Sequence, residues 1–259
     1  MKKSILVIKL GGSLMQEDSV KEQFFNDLLS VTSLDVSPVL VHGGGKDISA
    51  WMEACGETPE FIGGYRKTNT RAMDITEMVL SGHINKDLTA QLTKKGVLSV
   101  GISGKDAGLL MGKIKDQALG LVGEVSSVNC KLINDLLALG YLPVISPVAS
   151  DLEGNTLNLN ADHAAQEIAI ALKADHLIVM TDVDGLLVEG KLQSKLTLNQ
   201  AKNYLTHPDV KGGMIPKLLG AIHSVENGVG QVRIVNGKQG NICSQILSQS
   251  TSVGTTITA

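Results

Sequence analysis

Two apolar runs, each ending in glycines, constrain the fold more than anything else in the chain. Ile5-Leu6-Val7-Ile8-Lys9-Leu10 passes straight into Gly11-Gly12-Ser13, and Pro38 to Val41 passes into His42-Gly43-Gly44-Gly45. A run that is apolar at consecutive positions reads as a strand buried on both faces, which requires helices above and below it. Beyond each glycine cluster the apolar period becomes helical: Val20, Phe24, Leu28 and Val31 after the first, Ile48, Met52 and Cys55 after the second. Strand, glycine turn and helix in repetition imply a largely parallel sheet, and such sheets bind ligands at the carboxyl ends of their strands. Lys9 is the one cation in the first run and lies at that end.

The same alternation continues along the chain. Residues 57–68 carry Pro59, Gly63 and Gly64 and read as a hairpin or loop ending in Tyr65-Arg66-Lys67. Helices are expected over about 70–80 and 85–95, then a strand at 97–102. From Gly101 to Val125 glycine is dense (101, 104, 108, 112, 120, 123), which suggests short hairpins extending one edge of the sheet. Asn129 is placed to cap a helix through Leu139 that Gly140 terminates, before a strand from Leu142 to Pro147. Asn160 or Asp162 opens a helix to Leu172, followed by the strand His176 to Met180. A helix near 197–205, another from Met214 to about Asn227, a strand at Val232–Val235, a short helix and a terminal strand complete the pattern. This is an α/β chain, and composition marks no boundary within it.

Composition narrows the class. Apolar residues make up 43% of the 259 but aromatics only 3%, so the core is built from Leu, Ile, Val and Ala. That length accommodates one large domain or two smaller ones. The net charge of −3 gives no electrostatic case for nucleic acid or an anionic membrane. Cys55, Cys130 and Cys243 are scattered and odd in number, which fits a reducing compartment rather than a disulfide framework or zinc site. Lys9 interrupts the first apolar run and no small-residue cleavage site follows, against a signal peptide. No stretch approaches the roughly 18 apolar residues of a membrane span. A cytoplasmic protein is expected.

The glycine clusters suggest a bound anion, since backbone N–H groups at a helix start attract phosphate or carboxylate. Gly45-Lys46 lacks the flanking residues of a P-loop, and no G-x-G-x-x-G follows a strand. Arg66, after Gly-Gly-Tyr, could clamp a carboxylate through two parallel N–H···O bonds or simply lie in solvent. Alternation puts Asn158 and Asn160 on one side, with Asp162 at a helix start, where capping is an equally good reading. Asp182-Val183-Asp184-Gly185 lacks the spacing of a calcium loop and reads as a turn. Lys217 lies one turn into a helix introduced by Gly212-Gly213, close enough to reach back toward a phosphate. No H-x-x-x-H pair or G-x-S-x-G points to metal or serine chemistry.

Taken together, several stretches resemble the amino-acid kinase family. They are Lys9 to Ser13, Val41 to Gly45, Tyr65 to Thr68, Gly82 with Asn85-Lys86, and Gly101 to Asp106. Further along come Gly120 to Val125, Gly140 to Pro147, Asn158 to Asp162, Thr181 to Leu186 and Gly212 to Lys217. The resemblance implies a three-layer αβα sandwich around a central, mainly parallel sheet, with two lobes on one continuous sheet. Residues 1–173 would form an acylamino-acid-binding and dimerisation lobe, and 174–259 a nucleotide-binding lobe. The implied reaction is ATP-dependent phosphorylation of the side-chain carboxylate of N-acetyl-L-glutamate, in arginine biosynthesis.

Carried over by position, Lys9, Lys217 and Asp162 are the catalytic residues, and Gly44, Gly45, Arg66, Asn158 and Asn160 hold the acyl amino acid. Gly11, Gly12, Asp182, Val183, Asp184, Gly185, Leu186, Leu187, Asp209, Val210 and Lys211 line the nucleotide pocket. Mg²⁺ would be held mainly by the ATP phosphates, with no protein metal site. A homodimer is implied, and the lack of a helix ahead of the first strand leads us to expect insensitivity to arginine. Gly63-Gly64-Tyr65 departs from the leucine-rich approach to the arginine in many members. Another carboxylate or carbamate kinase of the family, or a non-catalytic sensor of an amino acid and a nucleotide, are the alternatives.

Overall fold

The computed structural model describes residues 3–12, 17–248 and 253–259. Ser13 of the first glycine turn lies outside the described residues. In chain order the elements are β1 (Ser4–Leu10), α1 (Asp18–Thr32), β2 (Val36–His42), α2 (Gly45–Ala54), the hairpin β3 (Phe61–Ile62) and β4 (Tyr65–Arg66), and α3 (Thr70–Glu77). A π-helical segment, Met78–Ile84, joins α3 directly to α4 (Asn85–Lys94). There follow β5 (Ser99–Ser103), β6 (Leu110–Ile114), β7 (Val122–Val128), α5 (Lys131–Ala138), β8 (Leu142–Ser146), β9 (Val148–Ser150), β10 (Thr156–Leu159) and α6 (Ala161–Leu172). The rest comprises β11 (His176–Thr181), the hairpin β12 (Leu187–Val188) and β13 (Lys191–Leu192), β14 (Lys195–Thr197), α7 (Leu198–Tyr204), α8 (Met214–Glu226), β15 (Gln231–Asn236), α9 (Ile242–Leu247) and β16 (Thr255–Thr258). The molecule is an α/β protein with a central, mostly parallel sheet, as the alternation predicts.

The chain packs as two compact units, Met1–Val39 with Ala165–Ala259, and Leu40–Ala164. In the first, the strand order is β14-β16-β15-β11-β1. β1, β11 and β15 run parallel, with Lys9 opposite Val179 and Val179 opposite Ile234. β16 is antiparallel to β15 and lies between it and β14. Leu6, Val7 and Ile8 are fully buried, and each such side chain contributes about 1.5–3 kcal/mol relative to exposure. Asp175 sets the register at the amino end, accepting the Ile5 N–H on its carboxylate at 2.8 Å. Asp27 of α1 is 2% exposed and caps α9: its carboxylate accepts the N–H groups of Cys243 (2.6 Å) and Ser244 (3.0 Å) and the Ser244 hydroxyl. Three charge-assisted bonds thus replace the local cap that Asn241, with its side chain making no such bond, does not supply.

In the unit Leu40–Ala164, β2, β8 and β5 are parallel neighbours, with Val41 opposite Ile145 and Ile145 opposite Ile102. Their carboxyl ends therefore share one edge. The glycine-dense stretch does not extend that sheet, contrary to the sequence reading. Strands β6 and β7 close instead with β9 and β10 into a small separate barrel, in the order β10-β7-β6-β9. Glycine is what such tight closure needs: a Cβ at Gly112 would lie 2.9 Å from Leu157, and one at Gly123 3.0 Å from it. Leu157, wholly buried, occupies the space these glycines leave. The two helices expected over about 70–80 and 85–95 are one uninterrupted rod, because the π-helical segment carries the backbone through Gly82 without a break.

Candidate active site

The carboxyl edge of the Leu40–Ala164 unit gathers Gly44, Gly45 and Arg66 around the start of α2, with Asn158 linked to them through Thr68. Gly44 is the N-cap of α2 and Gly45 its first residue, so the first N–H groups of the helix have no acceptor within it. A Cβ on Gly44 would fall 2.3 Å from Ile84 and 2.8 Å from Leu80, both in the π-helical segment. A larger residue at 44 would have to displace the ends of those two side chains. Arg66 is 7% exposed, with its guanidinium over the Phe61 ring at 4.8 Å. Nη2 donates to the Gly45 carbonyl (2.7 Å) and the Ser49 hydroxyl (2.8 Å), and Nη1 donates to Met52 Sδ (3.3 Å). Burial draws the Arg66 pKa below its ordinary value, but a guanidinium stays charged. The arginine is thus a buried strap on the α2 turn rather than a solvated side chain.

Asn158 joins the same group through Thr68: its amide donates to Thr68 Oγ1 (3.2 Å), whose hydroxyl donates to the Arg66 carbonyl (2.7 Å). Asn160 does otherwise. Its Oδ1 accepts the N–H groups of Asp162 (2.9 Å) and His163 (3.1 Å), so it caps α6. Asp162 sits in the first turn of that helix. Ser49 was missed by sequence reasoning, and Thr68 entered it only as the end of the stretch from Tyr65, since isolated hydroxyl residues carry no periodic signal.

Beneath the glycine turn lies a polar network that the sequence also did not announce. His42, the last residue of β2, is wholly buried. Its Nδ1 is 3.0 Å from the Gly43 carbonyl and its Nε2 3.2 Å from the Asn85 amide nitrogen. That nitrogen also donates to the carbonyls of Val144 (2.9 Å) and Ile102 (3.2 Å), while Asn85 Oδ1 accepts from Lys86 Nζ (3.1 Å). Lys86 in turn reaches the Gly101 carbonyl at 2.6 Å. Desolvation pushes the His42 pKa down to about 4, partly offset by its bond to Gly43 and reinforced by Lys86. The imidazole is therefore neutral at physiological pH.

In the unit of Met1–Val39 with Ala165–Ala259, Lys9 is at the carboxyl end of β1, 9% exposed, followed by Gly11 and Gly12. Because β1, β11 and β15 are parallel, that end lies at the same edge as Asp182 to Gly185 and Asn236. Asp184 accepts from Asn236 Nδ2 (2.9 Å) and Gln239 Nε2 (3.3 Å). Gly185, at φ 136°, permits the close turn that lets the Leu186 N–H reach Thr255 Oγ1 at 2.8 Å. Val183 and Leu187 are exposed while Leu186 is buried. Asp209 accepts the Glu189 N–H at 2.7 Å, which ties the 209–211 stretch to the β12–β13 hairpin, and Val210 is buried. Lys211 is exposed, and Lys217, half-buried, stands in the first turns of α8. Among the described residues no three His, Cys, Asp or Glu side chains are grouped as a metal ion requires. None of the described helices is long and apolar enough to cross a membrane.

The family model for the amino acid kinase family matches residues 4–236, which spans both units. The chain belongs to the amino acid kinase family. Its curated relatives include the acetylglutamate kinase of Prochlorococcus marinus (strain MIT 9312), 39% identical over 98% of this chain and 92% of that protein. The acetylglutamate kinase of Kosmotoga olearia is 43% identical over 89% of this chain and 83% of its own length. Among solved structures of the fold, smu.665 from Streptococcus mutans UA159 superposes with a TM-score of 0.79 at 32% identity, covering 98% of each chain. This amino acid kinase therefore matches such relatives through nearly its full length.

Proposed function

We propose that this chain transfers the γ-phosphoryl group of ATP to the side-chain carboxylate of N-acetyl-L-glutamate, giving the acyl phosphate used in arginine biosynthesis. The observation that carries the reading is identity of about 40% over nearly the whole chain to curated acetylglutamate kinases. A carboxylate is already a nucleophile at neutral pH, so no general base is required, and the buried, neutral His42 is not placed to be one. The obstacle is repulsion between an anionic acceptor and an anionic phosphoryl group, and catalysis rests on positioning and charge neutralisation. In this reading Lys9 and Lys217 supply the positive charge and Asp162 orients them. Gly44, Gly45, Arg66, Asn158 and Asn160 hold the acyl amino acid.

Gly11, Gly12, Asp182 to Leu187 and Asp209 to Lys211 hold the nucleotide, the exposed apolar surfaces of Val183 and Leu187 being suited to a flat base. Mg²⁺, carried on the ATP phosphates, offsets their charge; the described residues provide no separate three-ligand cluster for it. Functionally this divides the chain into an acyl-amino-acid lobe, 1–173, and a nucleotide lobe, 174–259, in a cytoplasmic homodimer. A hydroxamate assay with ATP and acetylglutamate, run beside aspartate, glutamate and carbamate, tests the reading. Product with acetylglutamate well above the other acceptors is expected. Equal or greater product with another acceptor, or none with any, would overturn it.

A further inference from the structure

Two residues outside that substrate set, His42 and Asn85, are joined by a buried polar contact. His42 is wholly buried, yet it carries a polar ring where leucine would fill the space without any hydrogen-bond requirement. A buried network of this kind costs stability unless every member is satisfied. Here the two N–H bonds of Asn85 serve three acceptors, His42 Nε2 and the carbonyls of Val144 and Ile102, so one of them is shared. The Asn85 amide nitrogen faces the carbonyls of Val144 and Ile102, so it is the NH₂ group that points inward and not the amide oxygen; Lys86 Nζ on the oxygen confirms that orientation. An NH₂ group can donate to His42 Nε2 but cannot accept from it, so a proton on that nitrogen would face another donor. The ring proton must then sit on Nδ1, which donates it to the Gly43 carbonyl.

The Gly43 carbonyl belongs to the peptide unit whose other end is the Gly44 N–H. Fixing one fixes the plane of the other, because the peptide group is rigid. Gly44 has no side chain to hold it, and the Ile84 and Leu80 side chains occupy the space where a Cβ would stand. Two residues on, Arg66 holds the Gly45 carbonyl, and the Gly44 carbonyl between them accepts the Ile48 N–H of the helix. The turn that starts α2 is thus held at two carbonyls, those of Gly43 and Gly45, by side chains from two places in the sequence.

We propose that His42 and Asn85 are positioning residues for acyl-substrate binding: Asn85 selects the Nδ1–H tautomer of His42, which fixes the Gly43–Gly44 peptide and aims its N–H, with those that begin α2, at the substrate. The inference rests on the acetylglutamate reading for the identity of that substrate. It separates one ring nitrogen from the other, and this makes it testable. In His42→Asn the side-chain amide falls where Nδ1 was and still donates to Gly43. In His42→Gln the amide falls where Nε2 was, satisfying Asn85 but leaving the Gly43 carbonyl without its donor.

Steady-state kinetics of both variants, with melting temperatures, decide the matter. His42→Gln is expected to raise the KM for acetylglutamate about tenfold, the worth of one neutral hydrogen bond, with the KM for ATP unchanged. His42→Asn is expected to recover most of that loss even if it melts lower. Equal KM values in the two variants, or a KM for ATP that rises in step, would reduce His42 to a structural filler and overturn the proposal. Should either variant fail to fold, ¹⁵N NMR of histidine-labelled wild type gives the tautomer directly, and a proton on Nε2 at neutral pH overturns it equally. Wild type that turns over ATP with a different acceptor would sink the substrate reading instead, and the tautomer result would still stand alone.

Discussion

Acidification should strip stability from this protein through one identifiable ring. His42 has a folded-state pKa of about 4 against 6.5 for an ordinary histidine, the cause being its complete burial. A depressed folded-state value means that the unfolded chain binds more protons than the native one between those two values. Stability is then fully present above the unfolded pKa and is lost as pH falls through the window. The whole shift corresponds to about 3 kcal/mol, of which roughly 2 kcal/mol is lost between about pH 7 and about pH 5. The His176 pKa is lowered as well, again chiefly by burial, and its loss has the same sign. Comparing wild type with His42→Gln cancels that contribution, because both proteins retain His176. Trp51, the only tryptophan, lies in α2 within the same compact unit as His42, so its fluorescence follows the relevant unfolding. In urea titrations wild type should lose about 2 kcal/mol more than the variant on going from about pH 7 to about pH 5. Parallel losses would show that His42 protonates in the native state, and the neutral-ring argument would fail.

Other expectations follow from the same geometry. Lys217→Ala should depress kcat by about a hundredfold or more with little change in the KM for acetylglutamate, whereas Arg66→Ala should chiefly raise that KM; a reversed pattern in steady-state kinetics would reassign both roles. Ser49→Ala removes one of the Arg66 hydrogen bonds and should raise the same KM by about threefold to tenfold, with Ser49→Thr restoring it. Asp27→Ala leaves one buried and one part-buried N–H group and a hydroxyl at the start of α9 without their acceptor, and should cost about 3 kcal/mol in chemical denaturation. Gly120→Ala puts a Cβ 2.4 Å from the Thr68 carbonyl at a φ of 69°, and a cost below about 1 kcal/mol would mean that this turn is far more pliant than it looks.

The strands and most of the helices were legible because their apolar positions recur at fixed intervals, as from Ile5 to Leu10 and from Val20 to Val31. Short pieces were not: β12, β13 and β14 hold two or three residues each, too few for a period to show. Glycine misled in one direction and informed in another. From Gly101 to Gly123 it suggested hairpins on the sheet edge, although at Gly112 and Gly123 its use is to admit Leu157 into a closed barrel. At Gly44 it marked a true close approach. In the candidate site, Arg66 and Gly45 were found as separate signals, and the structure supplies the bond between them. His42, Asn85, Ser49 and Thr68 were invisible as a group because their partnership is three-dimensional: Asn85 reaches carbonyls of two strands far along the sequence. Polar residues inside an otherwise helical run give no warning of that.

The division of the chain has a temporal side. Leu40–Ala164 is one unbroken stretch, able to gather its strands as it leaves the ribosome. The unit around it is discontinuous: β1 finds its neighbour β11 only after some 170 residues have been made, as the Ile5–Asp175 bond records. β16 then has to slip between β15 and β14, both already synthesised. Contacts so distant close slowly, and until they do the wholly apolar flanks of Leu6, Val7 and Ile8 are open to wrong partners. A strand made early is thus sheltered late, and chaperone dependence should concentrate there.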